Sequence, residues 1–288
     1  MVGTTPDVAH ERFVQTLAQQ GWSETKNVRF EYRSAQGTPP DYDASAEELV
    51  KLKVDVIYAN NAPATRAAFK ATRVIPIVGI DHTNDPVAAG YAKSYSRPGR
   101  NLTGFFLDAP GFAGKWLEQL KALIPGLSRV AVVWEPSPGN THLKAIERAA
   151  RSQGLQLQVL EVRTPDDIGP AFAKLRGRPQ ALLILPSPMT WAQSEQLAQL
   201  ALKHRLPATS MAAVFAEAGG LLSYGPDRDE TVDRCAILVA QILRGANPGD
   251  LPLERPTRLP LIINLKTANT LGLTVPDPLL VSADRVIR

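Results

Sequence analysis

The chain has one cysteine in 288 residues, Cys235, so no internal disulfide framework can hold it together. Apolar runs are short. None approaches the ~20 residues that a membrane-spanning helix needs. No glycine-rich fingerprint follows a strand-like run, which removes the usual signature of a dinucleotide site or a P-loop. The four histidines, His10, His82, His142 and His204, fall on separate segments without metal-ligand spacing. Ser223 stands in Leu221-Leu-Ser-Tyr-Gly225 and lacks the leading glycine of a nucleophile elbow. Charge of one sign is also scarce. The net charge is +4, with Lys and Arg scattered among Asp and Glu and no basic run, a pattern that does not fit a nucleic-acid surface. These absences point away from catalysis, metal binding and cofactor chemistry, and toward binding.

What is present is a globular composition, 44% hydrophobic and 21% charged, enough apolar surface for a sizeable core. Strand-like runs alternate with amphipathic helical stretches, the pattern of a parallel sheet covered by helices. The spacing predicts helices over 10–20, 41–52 and 63–71. It predicts strands over 28–32, 54–58 and 75–80, with another strand and a crossover through 101–106. After a helix over 112–123, Pro125-Gly126 restarts the pattern. Strands over 130–134, 155–162, 181–185 and 207–210 then alternate with helices over 140–153, 165–175 and 191–204. The tail has a glycine-punctuated strand over 219–226, a helix over 230–243, a strand over 259–264 and a helix over 266–271. Cys235 lies in the apolar run Cys235-Ala-Ile-Leu-Val-Ala-Gln-Ile-Leu243, where a buried helix thiol is expected. Two β-α-β series of similar size imply an α/β protein of two stacked lobes. Lobe 1 is expected over 1–104 plus about 226–250, and lobe 2 over 105–225 plus about 251–288, the tail crossing between them as a multi-strand hinge.

Ligands of open α/β sheets lie at the carboxyl ends of strands, against the following helix N-termini. Four such ends stand out. In Ala59-Asn-Asn-Ala-Pro-Ala-Thr65, Asn60 or Asn61 can cap a helix whose first turn takes Pro63. Backbone N–H groups near Ala62 and Ala64 would then suit a carboxylate. In Ile80-Asp-His-Thr-Asn-Asp-Pro86, Asp81 can receive an ammonium, while Asp85 fits a turn residue better. In Leu185-Pro-Ser-Pro-Met-Thr-Trp191, Ser187 can close over a ligand; Trp191 can stack on a ring or simply pack. Tyr224 offers an apolar face with a hydroxyl, or else packs as a hinge residue. Thr4 and Thr5 occupy the position of the first loop of such a cleft.

The ordered segments Asn27-Val-Arg-Phe-Glu-Tyr32, Leu52-Lys-Val-Asp-Val-Ile57, Ile75-Pro-Ile77, Asp85-Pro86, Arg97-Pro-Gly99, Asn101-Leu-Thr-Gly104, Ser223-Tyr-Gly-Pro226 and Ile263-Asn-Leu-Lys-Thr-Ala268 span nearly the whole chain. Together they resemble the ABC-transporter solute-binding family that includes tryptophan/tyrosine-type receptors. The resemblance implies a type I periplasmic-binding-protein fold, two Rossmann-like lobes closing over a small-molecule solute, without cofactor or metal. It implies a monomer that hands its solute to an ABC permease and its ATPase, periplasmic or lipid-anchored outside the inner membrane. Two departures stand against the family pattern. The chain opens with Met-Val-Gly-Thr-Thr-Pro-Asp, lacking the basic and apolar regions of a signal peptide, which predicts a start truncated relative to the family. The loop that commonly reads Gly-Thr-Pro-Ala is here Asn61-Ala-Pro-Ala64. On these grounds the expected ligand is an amino acid or related carboxylate. Its carboxylate would sit near Ala62 and Ala64, its ammonium at Asp81, and its side chain near Tyr224 and Ser187. Two other classes fit the same fold: a ligand-sensing module of a regulator or receptor, and a hydrolase or lyase working in the cleft.

Overall fold

In the computed structural model, which describes residues 2–3, 8–34, 39–107 and 109–288, strands and helices alternate in two compact units. Unit 1 comprises Met1–Asp108 with Asp227–Thr257, and unit 2 Ala109–Pro226 with Arg258–Arg288. The chain therefore passes three times from one unit to the other. Thr4 and Thr5 lie outside the described residues.

Unit 1 runs β1 (Val2–Gly3), α1 (Val8–Gln19), β2 (Arg33–Ser34), α2 (Pro39–Lys51), β3 (Ile57–Ala59), α3 (Ala62–Ala71), β4 (Ile77–Asp81) and β5 (Leu102–Phe106). Unit 2 begins with α4 (Ala109–Leu123), β6 (Arg129–Trp134), α5 (Thr141–Ser152), β7 (Gln156–Glu161), α6 (Pro165–Ala173) and β8 (Ala181–Ile184). It continues with α7 (Pro188–Ala192), α8 (Ser194–Lys203), β9 (Ala208–Ser210), α9 (Ala213–Glu217) and β10 (Leu222–Tyr224). Helix α10 (Arg228–Leu243) returns to unit 1, and β11 (Leu261–Asn264), α11 (Leu265–Leu271), α12 (Asp277–Val281) and β12 (Arg285–Ile287) complete unit 2.

The sheet of unit 1 has the order β2-β1-β3-β4-β5 with parallel pairing throughout. Both faces are covered, which is why β4 and β5 are buried at every position and are mostly apolar. Ile57, Ile77, Leu102 and Phe106 face Leu49, Ala67 and Phe69 of α2 and α3. Tyr58, Val78, Ile80 and Phe105 face the other way, onto Phe13, Leu17, Val232 and Val239 of α1 and α10. Helix α10 is pinned to α1 by Arg12, whose Nε donates to Asp233 at 2.9 Å, and by the Thr16 hydroxyl donating to the same carboxylate at 2.6 Å. The segment after α10 then extends the sheet beyond β5, with Phe106 N donating to Glu254 O and Glu254 N to Gly104 O.

The sheet of unit 2 has the order β12-β11-β10-β9-β8-β6-β7, parallel except where β10 meets β11. Ala131, Val133, Leu182 and Ile184 pack on Phe172, Leu197 and Phe215 from α6, α8 and α9. The tail contributes its own core of Leu261, Ile263, Ala268, Val275 and Leu279 against Leu221 and Leu222.

Three local expectations change. Residues 28–32 form no ladder; in this segment the pairing is confined to Arg33 and Ser34, opposite Val2 and Gly3. The single helix expected over 191–204 is two, α7 and α8. The Ser194 hydroxyl donates to Trp191 O at 2.7 Å and competes for the carbonyls at the junction. Helices α9 and α12 and strand β12 are additions that their short apolar patterns did not reveal.

Cys235 is fully buried in the α1–α10 core, and burial pushes its thiol far above the ordinary range. We expect no reaction with an aromatic disulfide reagent at pH 8 in the native protein, and one thiol titrated in denaturant. Native reactivity would contradict this packing.

Candidate functional site

In each unit the sequence-predicted residues gather at the carboxyl edge of a parallel sheet. Strand β3 ends at Ala59, so Asn60 and Asn61 form the turn into α3. Asn61 is the N-cap, extended at φ −161°, and its Oδ1 accepts from Ala64 N at 2.9 Å. Asn60 braces it, its Oδ1 accepting from Asn61 Nδ2 at 2.9 Å. The Ala64 N–H is thus held by the cap, Pro63 has none, and the Ala62 N–H is the first-turn donor that this cap leaves over. Thr65 locks the turn to the sheet by donating its hydroxyl to Ile80 O at 3.0 Å.

Asp81 is the last residue of β4, the neighbour of β3, and is wholly buried. Its Oδ1 accepts from Thr83 N at 2.7 Å and Asn84 N at 2.9 Å, and its Oδ2 from Asn84 Nδ2 at 2.9 Å. Loss of hydration raises its pKa to about 6. The hydrogen bonds from Asn84 and Thr83, and the charge of Arg66, pull the other way. Tyr91 shares this environment and is pushed up to about 12, first by burial and then by the Asp81 charge. Asp85 is exposed and bonds Val87 N and Ala88 N, the arrangement of a turn.

In unit 2, Ser187 follows β8 and is the buried N-cap of α7. Its Oγ accepts from Thr190 N at 3.0 Å, and its own N–H donates to Thr190 Oγ1 at 2.9 Å. The capping box thus draws the Ser187 hydroxyl inward. Trp191 is half-buried in the same short helix. Tyr224 ends β10, separated from β8 by β9. Its ring lies 5.6 Å from that of Phe112, and its carbonyl accepts from Trp116 Nε1 at 2.8 Å. Burial, and then the charge of Asp284, raise its phenol pKa.

So Asn60, Asn61, Ala62, Ala64 and Asp81 come together in unit 1, on neighbouring strand ends. Ser187, Trp191 and Tyr224 share the corresponding edge of unit 2, and Asp85 serves its own turn. Sequence reasoning passed over Glu135, one residue beyond β6 and buried, and Ser210, the last residue of β9, also buried. Applying the strand-end rule to every strand would have found both. Among the described residues no group of His, Cys, Asp or Glu could hold a metal ion, and no helix is long and apolar enough to cross a membrane.

A family model described as ABC transporter substrate binding protein matches residues 5–287. A tyrosine-binding protein of Clostridioides difficile is 25% identical over 271 residues, covering 93% of this chain and 77% of that protein. A conserved domain protein from Vibrio cholerae has a crystal structure that superposes with a TM-score of 0.89 at 26% identity, over 99% of this chain and 97% of that one. The crystal structure of an ABC domain in complex with L-Trp from Streptococcus pneumonia superposes at 0.88 with 22% identity, over 99% and 98% of the two chains.

Proposed function

The chain belongs to the family of ABC transporter substrate binding proteins and has the type I periplasmic-binding-protein fold. From that premise we propose that it captures an amino acid with an aromatic side chain for an ABC importer. The relatives that carry tyrosine-binding in their name or L-Trp in their structure support the ligand class. The observation that carries the reading is Asp81. It is a fully buried carboxylate at the carboxyl end of a parallel strand, held by three neutral donors and raised to about 6 by lost hydration. The hydrogen bonds to this carboxylate all come from neutral groups, and the Arg66 charge is only a weaker influence on it. Such a buried charge is unfavourable until a cation reaches it directly. A ligand ammonium supplies that cation.

The ligand carboxylate then takes the Ala62 N–H at the start of α3, where the helix dipole also favours an anion. Its aromatic side chain goes to the unit 2 loops around Ser187, Trp191 and Tyr224. Ligand binding favours one arrangement of the two units only through contacts made with both. In this reading the protein is a monomer outside the inner membrane, periplasmic or lipid-anchored, delivering its solute to a permease and its ATPase. It performs no reaction on the solute and binds no nucleic acid.

The test is a thermal-shift screen of refolded, ligand-stripped protein against the amino acids and small aromatic carboxylates. A ligand at a hundredfold excess over its Kd adds ~2.7 kcal/mol, a melting shift of roughly 5–10 °C. A selective shift with tyrosine, tryptophan or phenylalanine supports the reading. A shift confined to aromatic carboxylates without an amino group would remove the role given to Asp81.

A further inference from the structure

Asp81 and Glu135 are the only buried carboxylates among the described residues, one in each unit and each at a strand's carboxyl end. Asp81 has a task in the reading above, and Glu135 has none. It is 7% exposed and follows β6, the strand between β8 and β7. Its Oε1 accepts from Ser137 N and its Oε2 from the Ser137 hydroxyl, both at 2.7 Å. An ionised carboxylate offers about four acceptor positions, and Ser137 fills two. No cation pairs with Glu135 among the described residues. A fold that needed only a turn here could use an exposed residue or a neutral Gln. A carboxylate kept out of water with spare lone pairs is instead poised for a donor from outside the chain.

We propose that Glu135 is the specificity residue of unit 2, accepting a hydrogen bond from a donor at the far end of the ligand side chain. The assignment rests on the aromatic amino-acid reading and narrows it. The protein selects ring systems that carry a phenol O–H or an indole N–H, and rejects those of the same shape without one. Such selection works because a ligand lacking the donor leaves the acceptor buried and unmet.

The experiment measures Kd by calorimetry for L-tyrosine, L-phenylalanine and O-methyl-L-tyrosine on wild-type protein, Glu135→Gln and Glu135→Leu. Melting temperatures are recorded for each. Wild type should bind tyrosine about 10- to 100-fold tighter than phenylalanine, the range of a hydrogen bond to a charged acceptor. O-methyltyrosine should bind no better than phenylalanine. In Glu135→Leu the preference should fall to within about threefold, and Glu135→Gln, which keeps an acceptor but no charge, should lie between. Equal wild-type affinity for tyrosine and O-methyltyrosine overturns the proposal without any variant. So does a preserved preference in folded Glu135→Leu or Glu135→Gln, which would leave Glu135 as the brace of the Ser137 turn. In both cases the amino-acid reading survives. Wild-type protein that binds none of the three, and does not bind tryptophan, overturns both.

Discussion

Replacing Asp81 with asparagine will make the ligand-free protein more stable at neutral pH while weakening ligand binding about 10- to 100-fold. The two effects share one cause, the desolvated carboxylate at the end of β4. A rise of its pKa from the ordinary 3.8 to about 6 corresponds to ~3 kcal/mol, the preference of the folded state for the protonated acid. The sign follows from proton counting. Between those two values the folded protein holds the proton more firmly than the unfolded chain, so stability falls as pH rises. Asp81's contribution is fully present below about 3.8 and lost as pH climbs through about 6. Asparagine keeps an oxygen for the Thr83 and Asn84 backbone donors and carries no charge. The variant should melt roughly 5–10 °C higher than wild type at pH 8, with the gap closing toward pH 4. Binding runs in the opposite direction. A ligand ammonium needs the ionised form, so wild-type Kd should rise about tenfold per pH unit below 6 and the variant's Kd should stay flat. Calorimetric melting and titration calorimetry across pH 4–8 give both curves. An asparagine variant that binds as tightly as wild type would remove the ammonium contact. Equal melting at pH 8 would show that the hydrogen bonds offset the lost hydration.

A second large effect is expected two residues upstream of Asp81, at the pairing of Gly79 with Gly104. Gly104 has φ +142°, and a Cβ there would lie 2.0 Å from Gly79 O and 2.6 Å from Gly79 N. Those are backbone atoms of the neighbouring strand, so no side chain can move aside. Gly104→Ala must separate β4 from β5 and hold a conformation that L-residues rarely adopt. The expected cost is ~3–5 kcal/mol, in the range of severe backbone and packing faults. Gly90→Ala in the same unit is the control, since it also has positive φ (+75°) but nothing within 4 Å of the added methyl. That variant should lose only ~1 kcal/mol. Chemical denaturation of the two variants separates contact from dihedral strain. Equal losses would place the whole effect in the backbone angle. Because β4 ends in Asp81, partly folded Gly104→Ala should also lose affinity out of proportion to its distance from the ligand.

Much of this was legible locally. A fully covered parallel strand is apolar over most of its length, so the runs Ile77–Ile80 and Ala181–Ile184 were legible as strands. Asn61 before Ala62-Pro63 read as a helix cap because the cap bond spans only three residues, and the structure has that bond. The break at Gln193 was not legible, since it depends on the Ser194 hydroxyl reaching back to the carbonyls of Thr190 and Trp191. Nor was the strand at Arg33–Ser34, because a register is set by the partner and not by the alternation of Val28, Phe30 and Tyr32.

By itself, then, the sequence determined the alternation of strands and helices, the family through its ordered motifs, and which loops follow which strands. Each of these depends on residues within a few positions of one another, or on their order. The tertiary structure decided which residues hold α10 against α1, Arg12 and Asp233, more than two hundred residues apart. It also decided that, among the described residues, Asp81 and Glu135 are the two carboxylates removed from water while Asp85 stays in it. Burial is a property of every segment packed around a group, and no local pattern contains it. In the function proposed above, it is burial that suits the strand-end carboxylate of Asp81 to a ligand ammonium.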